Sequence, residues 1–186
     1  MKSIFYFNTF ELPRRAGEMK EYELPFDLTE AIGIDVIAVP VGDRIFVDLK
    51  IESVKEGVLV TAAVEATAKG VCTRCLDPIE LELDRNFIEL YRYESGKAHT
   101  KAERKRAREE EEDVDEDEEL MMEGDEINLE APIRDCLILD LPINPLCDEE
   151  CEGLCQICGQ KWVDLPDDHA HEVIDARWAG LSGLDF

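Results

Sequence analysis

Four of the seven cysteines fall within twelve positions, in Leu146-Cys-Asp-Glu-Glu-Cys-Glu-Gly-Leu-Cys-Gln-Ile-Cys-Gly159. No other stretch limits the fold as strongly, because it places Cys147, Cys151, Cys155 and Cys158 in C-x3-C and C-x2-C spacings. Two ligands separated by two residues reach one ion from a tight turn, and Gly159 suits the left-handed backbone that follows such a turn. Two further pairs of the same chemistry exist, Cys72-Thr-Arg-Cys75 far upstream and His169-Ala-His171 just downstream. An odd cysteine count and paired C-x2-C spacings favour metal or redox chemistry over a disulfide framework.

Four pairs fill two closed tetrahedral sites, and they combine in three ways. The preferred partition joins Cys72 and Cys75 to Cys147 and Cys151, leaving Cys155, Cys158, His169 and His171 as a second, ribbon-like set. The second set is local in sequence, so its loop-closure cost is small. The rival unites the four clustered cysteines and leaves Cys72 and Cys75 to the histidines; it crowds Cys151 and Cys155 onto one ion. The plainer alternative makes one or both histidines ordinary surface residues. Eight ligands for two ions leave no open catalytic position, so two structural Zn2+ ions are expected and no enzymatic activity. A dithiol redox role for Cys72 and Cys75 is the competing chemistry. It calls for a dithiol that opens a helix after a buried strand, whereas these flanks read as a hairpin and Pro78 interrupts any helix.

The preceding chain reads as antiparallel sheet. Glu21–Leu28 suits an edge strand, with Pro25 tolerated there. Ile45, Val47, Leu49 and Ile51 alternate with polar neighbours, Glu56-Gly57 turns the chain, and Val58, Val60, Ala62, Val64, Ala66 and Ala68 alternate again. Lys69-Gly70 punctuates that run before Cys72. Ile79, Leu81 and Leu83 form a third set, and Phe87, Tyr91 and Tyr93 a fourth. A meander then places the Cys72/Cys75 turn at its tip. Order resumes at Ile127 with a helix capped by Asn128, carrying Ile133, Cys136 and Leu137 on one stripe and stopping before Pro142 and Pro145. Cys136 reads as a small buried hydrophobe. A short C-terminal helix is expected from Ile174, Trp178 and Leu181. The fold class is therefore α+β: an antiparallel sheet, one or two helices and a C-terminal zinc-ribbon-like module.

Between these regions lies a charged insertion. Lys101, Arg104, Lys105, Arg106 and Arg108 precede Glu109–Glu119, which holds ten acidic residues and one Val. With almost no apolar anchors it is expected to remain a disordered or loosely helical loop. The division is 1–96 sheet with the first Cys pair, 97–126 insertion, and 127–186 helix plus Cys/His module, the outer two forming one folded unit. The whole chain has 45 acidic and 20 basic residues, a net charge of −25. That field repels nucleic-acid phosphates broadly and favours basic partners; DNA binding is not expected. No secretory leader or apolar run of membrane-spanning length is present, so a cytoplasmic protein with no membrane partner and no small-molecule substrate is expected.

The motifs Gly70-Val-Cys-Thr-Arg-Cys-Leu-Asp-Pro78, Arg134-Asp-Cys-Leu-Ile-Leu-Asp-Leu-Pro-Ile-Asn-Pro-Leu-Cys147 and Cys151-Glu-Gly-Leu-Cys-Gln-Ile-Cys-Gly159 together resemble the YceD family of large ribosomal RNA subunit accumulation proteins. Pro13-Arg-Arg-Ala-Gly17 and Asp175-Ala-Arg-Trp-Ala-Gly-Leu181 look like its versions in high-GC Gram-positive bacteria, although Ala176 stands where Pro is common. The resemblance implies a non-enzymatic cytoplasmic factor needed for normal levels of large-subunit ribosomal RNA, with an RNA precursor or a large-subunit ribosomal protein as partner. An acidic chaperone of a basic ribosomal protein is a further alternative. Some members lack the Gly-Leu-Cys-x2-Cys-Gly extension but keep the first Cys pair and the ligand pair following the Leu-Pro-x-x-Pro element, which implies that Cys72, Cys75, Cys147 and Cys151 act as one unit. Members that have it often carry Cys-x-Cys in place of His169 and His171, which implies the second.

Overall fold

Ile45, Val47, Leu49 and Ile51 are all buried, on one face of a strand that runs Arg44–Ser53. In the computed structural model, which describes residues 3–93 and 120–171, this strand is β5. It follows β1 (Tyr6–Asn8), β2 (Met19–Asp27), β3 (Ile32–Ile34) and β4 (Ile37–Val39). β6 (Gly57–Val71) and β7 (Pro78–Arg92) come next, each of 15 residues, then β8 (Glu126–Asn128) and helix α1 (Glu130–Ile138). A 3-10 turn, Trp162–Asp164, follows in the cysteine-rich module. The class is α+β, with an antiparallel sheet, one helix among the described residues and a cysteine-rich, ribbon-like C-terminal module.

β6 is the spine. One of its edges pairs with β7 over its whole length, from Gly57↔Arg92 to Val71↔Pro78. Its other edge is shared: residues 58–65 pair with β5, and Lys69 and Gly70 pair with β4. β2 lies outside β5 as an edge strand, with Pro25 opposite Phe46. Two sequence expectations change here. Gly70 does not stop the strand; it lets the β3–β4 hairpin close onto it, since a Cβ there would fall 2.3 Å from the Val36 carbonyl oxygen. The sets Ile79–Leu83 and Phe87–Tyr93 are not separate elements, because residues 78–92 form one strand held in register by β6.

One face of the sheet is covered. Val58, Val60, Ala62, Val64 and Ala68 of β6 meet the β5 stripe there, and each fully buried Val, Leu or Ile contributes about 1.5–3 kcal/mol. The cover is built from β1, β8 and α1. β1 pairs with β8, and Phe5 and Phe7 place their rings 5.1 and 4.8 Å from Phe26 and Tyr22 of β2. Tyr91 is buried and donates its hydroxyl to the Asn128 carbonyl at 2.7 Å. Helix α1 buries Pro132, Ile133 and Leu137. Its N-cap is Leu129, one residue later than the sequence suggests; Asn128 Oδ1 accepts the Glu130 N–H at 3.0 Å. Cys136 is half-buried against this core, and burial pushes its thiol up to about 11.

The residues after the charged block rejoin the sheet earlier than Ile127. Arg92 donates to the Leu120 carbonyl and accepts from Met122 N–H, both at 2.9 Å, and Met122 is buried. The charged clusters, His99 and the expected C-terminal helix lie outside the described residues. No helix among the described residues is long and apolar enough to cross a membrane.

Candidate metal centres

Cys72 and Cys75 sit in the turn that joins β6 to β7. Cys72 N–H donates to the Asp77 carbonyl at 2.8 Å, and Leu76 N–H donates back to the Cys72 carbonyl at 2.9 Å. The second turn repeats this pattern: Cys155 N–H reaches the Gln160 carbonyl at 2.7 Å and Gly159 N–H the Cys155 carbonyl at 2.8 Å. Each loop is closed by a β-pair at the same offsets, Val71↔Pro78 and Leu154↔Lys161. The residue after the second cysteine is left-handed in both, Leu76 at φ 61° and Gly159 at φ 71°.

After α1, Leu141–Leu146 carries the chain back to the first turn. Thr73 donates its backbone N–H and its hydroxyl to the Pro145 carbonyl, at 2.9 and 3.3 Å. Arg74 Nη1 donates to the Cys151 and Glu149 carbonyls at 2.8 and 3.3 Å. The result brings Cys72, Cys75, Cys147 and Cys151 together, with all four sulfurs within 4.8 Å of one another. Cys72 Sγ lies 3.8 Å from Cys151 Sγ, and Cys75 Sγ 3.5 Å from Cys147 Sγ. Four thiolates about 2.3 Å from a tetrahedral centre are about 3.8 Å apart. A disulfide would need about 2.05 Å.

Cys155, Cys158, His169 and His171 form the second group, again with ligand atoms within 4.8 Å of one another. Cys158 Sγ is 3.6 Å from His169 Nε2, which matches the roughly 3.6 Å edge expected between thiolate and imidazole donors on one zinc. The His169 and His171 rings stand edge to face, 4.4 Å apart, and Trp162 packs against His169 at 5.5 Å. His171 Nε2 is buried with no hydrogen-bond partner among the described residues. A buried, unpartnered imidazole nitrogen beside two thiols and a second imidazole is a donor set that a metal ion satisfies.

The two groups are strapped together. Gly153 lies between them at φ 79°, and a Cβ there would fall 2.9 Å from the Arg74 carbonyl oxygen. Trp162 N–H donates to the Gly153 carbonyl at 3.0 Å, and Lys161 Nζ pairs with Asp77 at 2.7 Å across the two turns.

The first cysteine of each turn is electrostatically prepared. The Cys75 N–H, with help from those of Cys147 and Arg74, draws the Cys72 thiol down to about 6, against its burial. The N–H groups of Cys158 and Ile157 do the same for Cys155, also to about 6. At Cys75 the Asp77 N–H pulls downward, but burial and the thiols of Cys72, Cys147 and Cys151 outweigh it and push the value up to about 12. Four thiols crowding one another without a counter-charge is the situation a divalent cation relieves.

All eight residues singled out in the sequence thus fall into two four-donor groups that could each hold a metal ion. Sequence reasoning missed the supports: Thr73 and Arg74, which tie the first turn to the helix exit, and the Lys161–Asp77 strap. It also missed that Leu76 takes the place of Gly159, although aligning the two C-x2-C segments would have exposed it.

A hairpin-borne cysteine pair completed by a ligand pair after the helix is the frame on which a family match can be judged. The chain matches the model of the large ribosomal RNA subunit accumulation protein YceD over residues 60–185, and it belongs to that family. It is also similar to uncharacterized proteins of Mycobacterium tuberculosis and Mycobacterium bovis, 38% identical over 170 residues, covering 91% of this chain and 76% of theirs. An uncharacterized protein of Mycobacterium leprae is 32% identical over 180 residues, covering 96% and 76%. No solved structure matches it.

Proposed function

We propose that this chain is a non-enzymatic, zinc-structured factor that sustains accumulation of large-subunit ribosomal RNA in the cytoplasm. It acts by binding an RNA precursor or a large-subunit ribosomal protein. The carrying observation is the family match together with two closed four-donor groups, which fit two Zn2+ ions. Cys72, Cys75, Cys147 and Cys151 would hold one ion; Cys155, Cys158, His169 and His171 would hold the other. Bound zinc would supply folding free energy, with apparent values of about 10–16 kcal/mol for structural sites. The first ion would staple the β6–β7 tip to the exit of α1. A dithiol role for Cys72 and Cys75 is disfavoured because their sulfurs sit within a set of four, at the tip of an antiparallel hairpin rather than at a helix start.

The functional test is the ratio of large- to small-subunit ribosomal RNA in cells lacking the chain. It should fall, and return on complementation with wild type but not with Cys72→Ser. An unchanged ratio would sink the reading. Metal analysis of the purified chain tests the chemistry separately: about two zinc per chain is expected, and a reversible Cys72–Cys75 disulfide with no zinc would support the redox alternative.

A further inference from the structure

The second face of the sheet has no cover in the described structure. Across β2, β5, β6 and β7 it carries exposed Phe46 and Ile88, 54% and 66% accessible, among carboxylates. Two of its cross-strand pairs join like charges: Glu23 stands directly opposite Asp48, and Glu65 directly opposite Asp84. Like charges directly opposite one another destabilise a sheet. Among the described residues none of these four carboxylates is in an ion pair or accepts a hydrogen bond, whereas the neighbouring Asp27 is paired with Arg44 and Asp43 with Lys69. A fold that leaves such a conflict on an open, partly apolar surface has the signature of a functional rather than a structural choice.

The four groups form a line. Phe46 is opposite Glu65 and Asp48 opposite Ala63, so the directly opposed pairs Glu23/Asp48 and Glu65/Asp84 are joined across four strands by one diagonal step, from Asp48 to Glu65. Neighbours on that line are roughly 5–8 Å apart. Alternate side chains of an extended peptide recur about every 6.6–7 Å, close to the diagonal step from Asp48 to Glu65 that separates the two pairs. The surface is concave on both sides of the line. One depression of about 600 Å3 includes Glu21, Glu23, Asp48 and Ala63 with the single cation Lys50, and another of about 430 Å3 includes Phe46, Glu65, Glu82 and Asp84 with Arg44, which Asp27 already pairs.

We propose that this face docks an extended, arginine- and lysine-rich protein segment. Its alternate basic side chains meet the diagonal of carboxylates, and their stems lie over Phe46 and Ala63. Arginine in particular combines a carboxylate pair with stacking on Phe46. The same carboxylates repel phosphate, so RNA is excluded from this face. The inference rests on the reading that the chain acts by binding, and it gives that reading a partner chemistry and a location.

The test uses the full, zinc-loaded chain and a fluorescein-labelled octapeptide of four Arg-Thr repeats, with a Glu-Thr counterpart and an eight-nucleotide RNA as competing probes. Two quadruple variants change net charge equally. One is Glu23→Gln with Asp48→Asn, Glu65→Gln and Asp84→Asn. The other is Glu109→Gln with Glu110→Gln, Glu111→Gln and Glu112→Gln in the acidic block. Both should keep the wild-type circular dichroism and zinc content. The Arg-Thr peptide should bind wild type in a salt-dependent way, lose about tenfold in affinity on the sheet variant and change less than about twofold on the block variant. Amide shifts on peptide binding should centre on Asp48, Ala63 and Glu65. The proposal is overturned by equal weakening of both variants, by loss on the block variant alone, or by no peptide binding. It is equally overturned if the RNA shifts these amides, if they shift with chain concentration alone, or if they shift on deleting residues 101–108. Failure here would leave the ribosomal RNA ratio dependent on the chain, whereas failure of the functional reading would leave that ratio unchanged.

Discussion

Leu76 and Gly159 occupy the same position in two copies of one loop. Each follows the second cysteine of a C-x2-C turn, each is left-handed, and each donates its N–H to the carbonyl of the first cysteine. Glycine adopts that conformation freely, whereas an L-residue pays roughly 1–2 kcal/mol. Leu76 is 62% exposed, so little packing offsets the strain. Leu76→Gly should therefore stabilise the zinc-loaded chain by about 0.5–1 kcal/mol after the greater unfolded-state freedom of glycine is counted. Gly159→Leu should cost about 1 kcal/mol or more. Urea midpoints at constant slope measure both, and destabilisation by Leu76→Gly would show that the side chain does more than occupy the turn.

Metal stoichiometry separates the two groups. Cys72→Ser and Cys151→Ser should each retain about one zinc, as should Cys155→Ser and His171→Ala, with loss of a different ion in each pair of variants. Combining Cys72→Ser with Cys151→Ser should remove no more metal than either alone, while Cys72→Ser with Cys155→Ser should remove both ions. A Cys155→Ser variant that loses the same ion as Cys72→Ser would overturn the grouping.

Arg74 is a supporting residue whose loss should be felt through the metal. Its guanidinium donates to the Cys151 and Glu149 carbonyls rather than to a ligand sulfur, and that is the contact a substitution removes. Arg74→Ala should weaken the first zinc by about 10- to 100-fold in competition with a chromogenic chelator, leaving the second within error. Arg74→Lys should recover only part of the loss, since one ammonium replaces a planar fork.

Alkylation should distinguish Cys136 from the first cysteine of each C-x2-C turn. Its thiol is pushed up to about 11 by burial, and its Sγ lies 3.2 Å from the Ile133 carbonyl. A thiol with so high a value is almost wholly protonated near neutrality and reacts slowly. With a chelator at neutral pH, mass spectrometry should find Cys72 and Cys155, both drawn down to about 6, carboxamidomethylated well before Cys136. Early modification of Cys136 would mean that the α1 packing opens when metal is removed.

Gly70 is a packing glycine. Gly70→Ala should cost about 1–3 kcal/mol, because the new methyl meets the Val36 carbonyl and Ile37 where the β3–β4 hairpin closes on β6.

The strands and the ligand pairs were legible for the same reason: each is a local spacing that physics rewards. Period-two burial marks β5 and β6, and two-residue gaps mark Cys72/Cys75 and Cys155/Cys158. What was hidden is non-local or symmetric. Ile32–Val39 is a hairpin of short strands with several residues at least half-buried, so no alternation announces it. β1 and β8 find each other across more than a hundred residues. The continuity of β7 was missed although Ile79, Leu81, Leu83, Phe87 and Tyr91 are all odd-numbered and so share one face. Leu76 was overlooked because glycine, not leucine, is the usual marker of a left-handed residue.

The bonds from Arg92 to Leu120 and Met122 have one more consequence. The chain leaves the sheet and returns to it at one point, so the two ends of the intervening detour are held side by side by Arg92. Closing such a detour costs only about 0.6 kcal/mol per doubling of its length. Descent could lengthen or shorten it while Arg92 keeps its two ends in place. It is the place where a lineage can rewrite the protein's charge while inheriting its architecture unchanged.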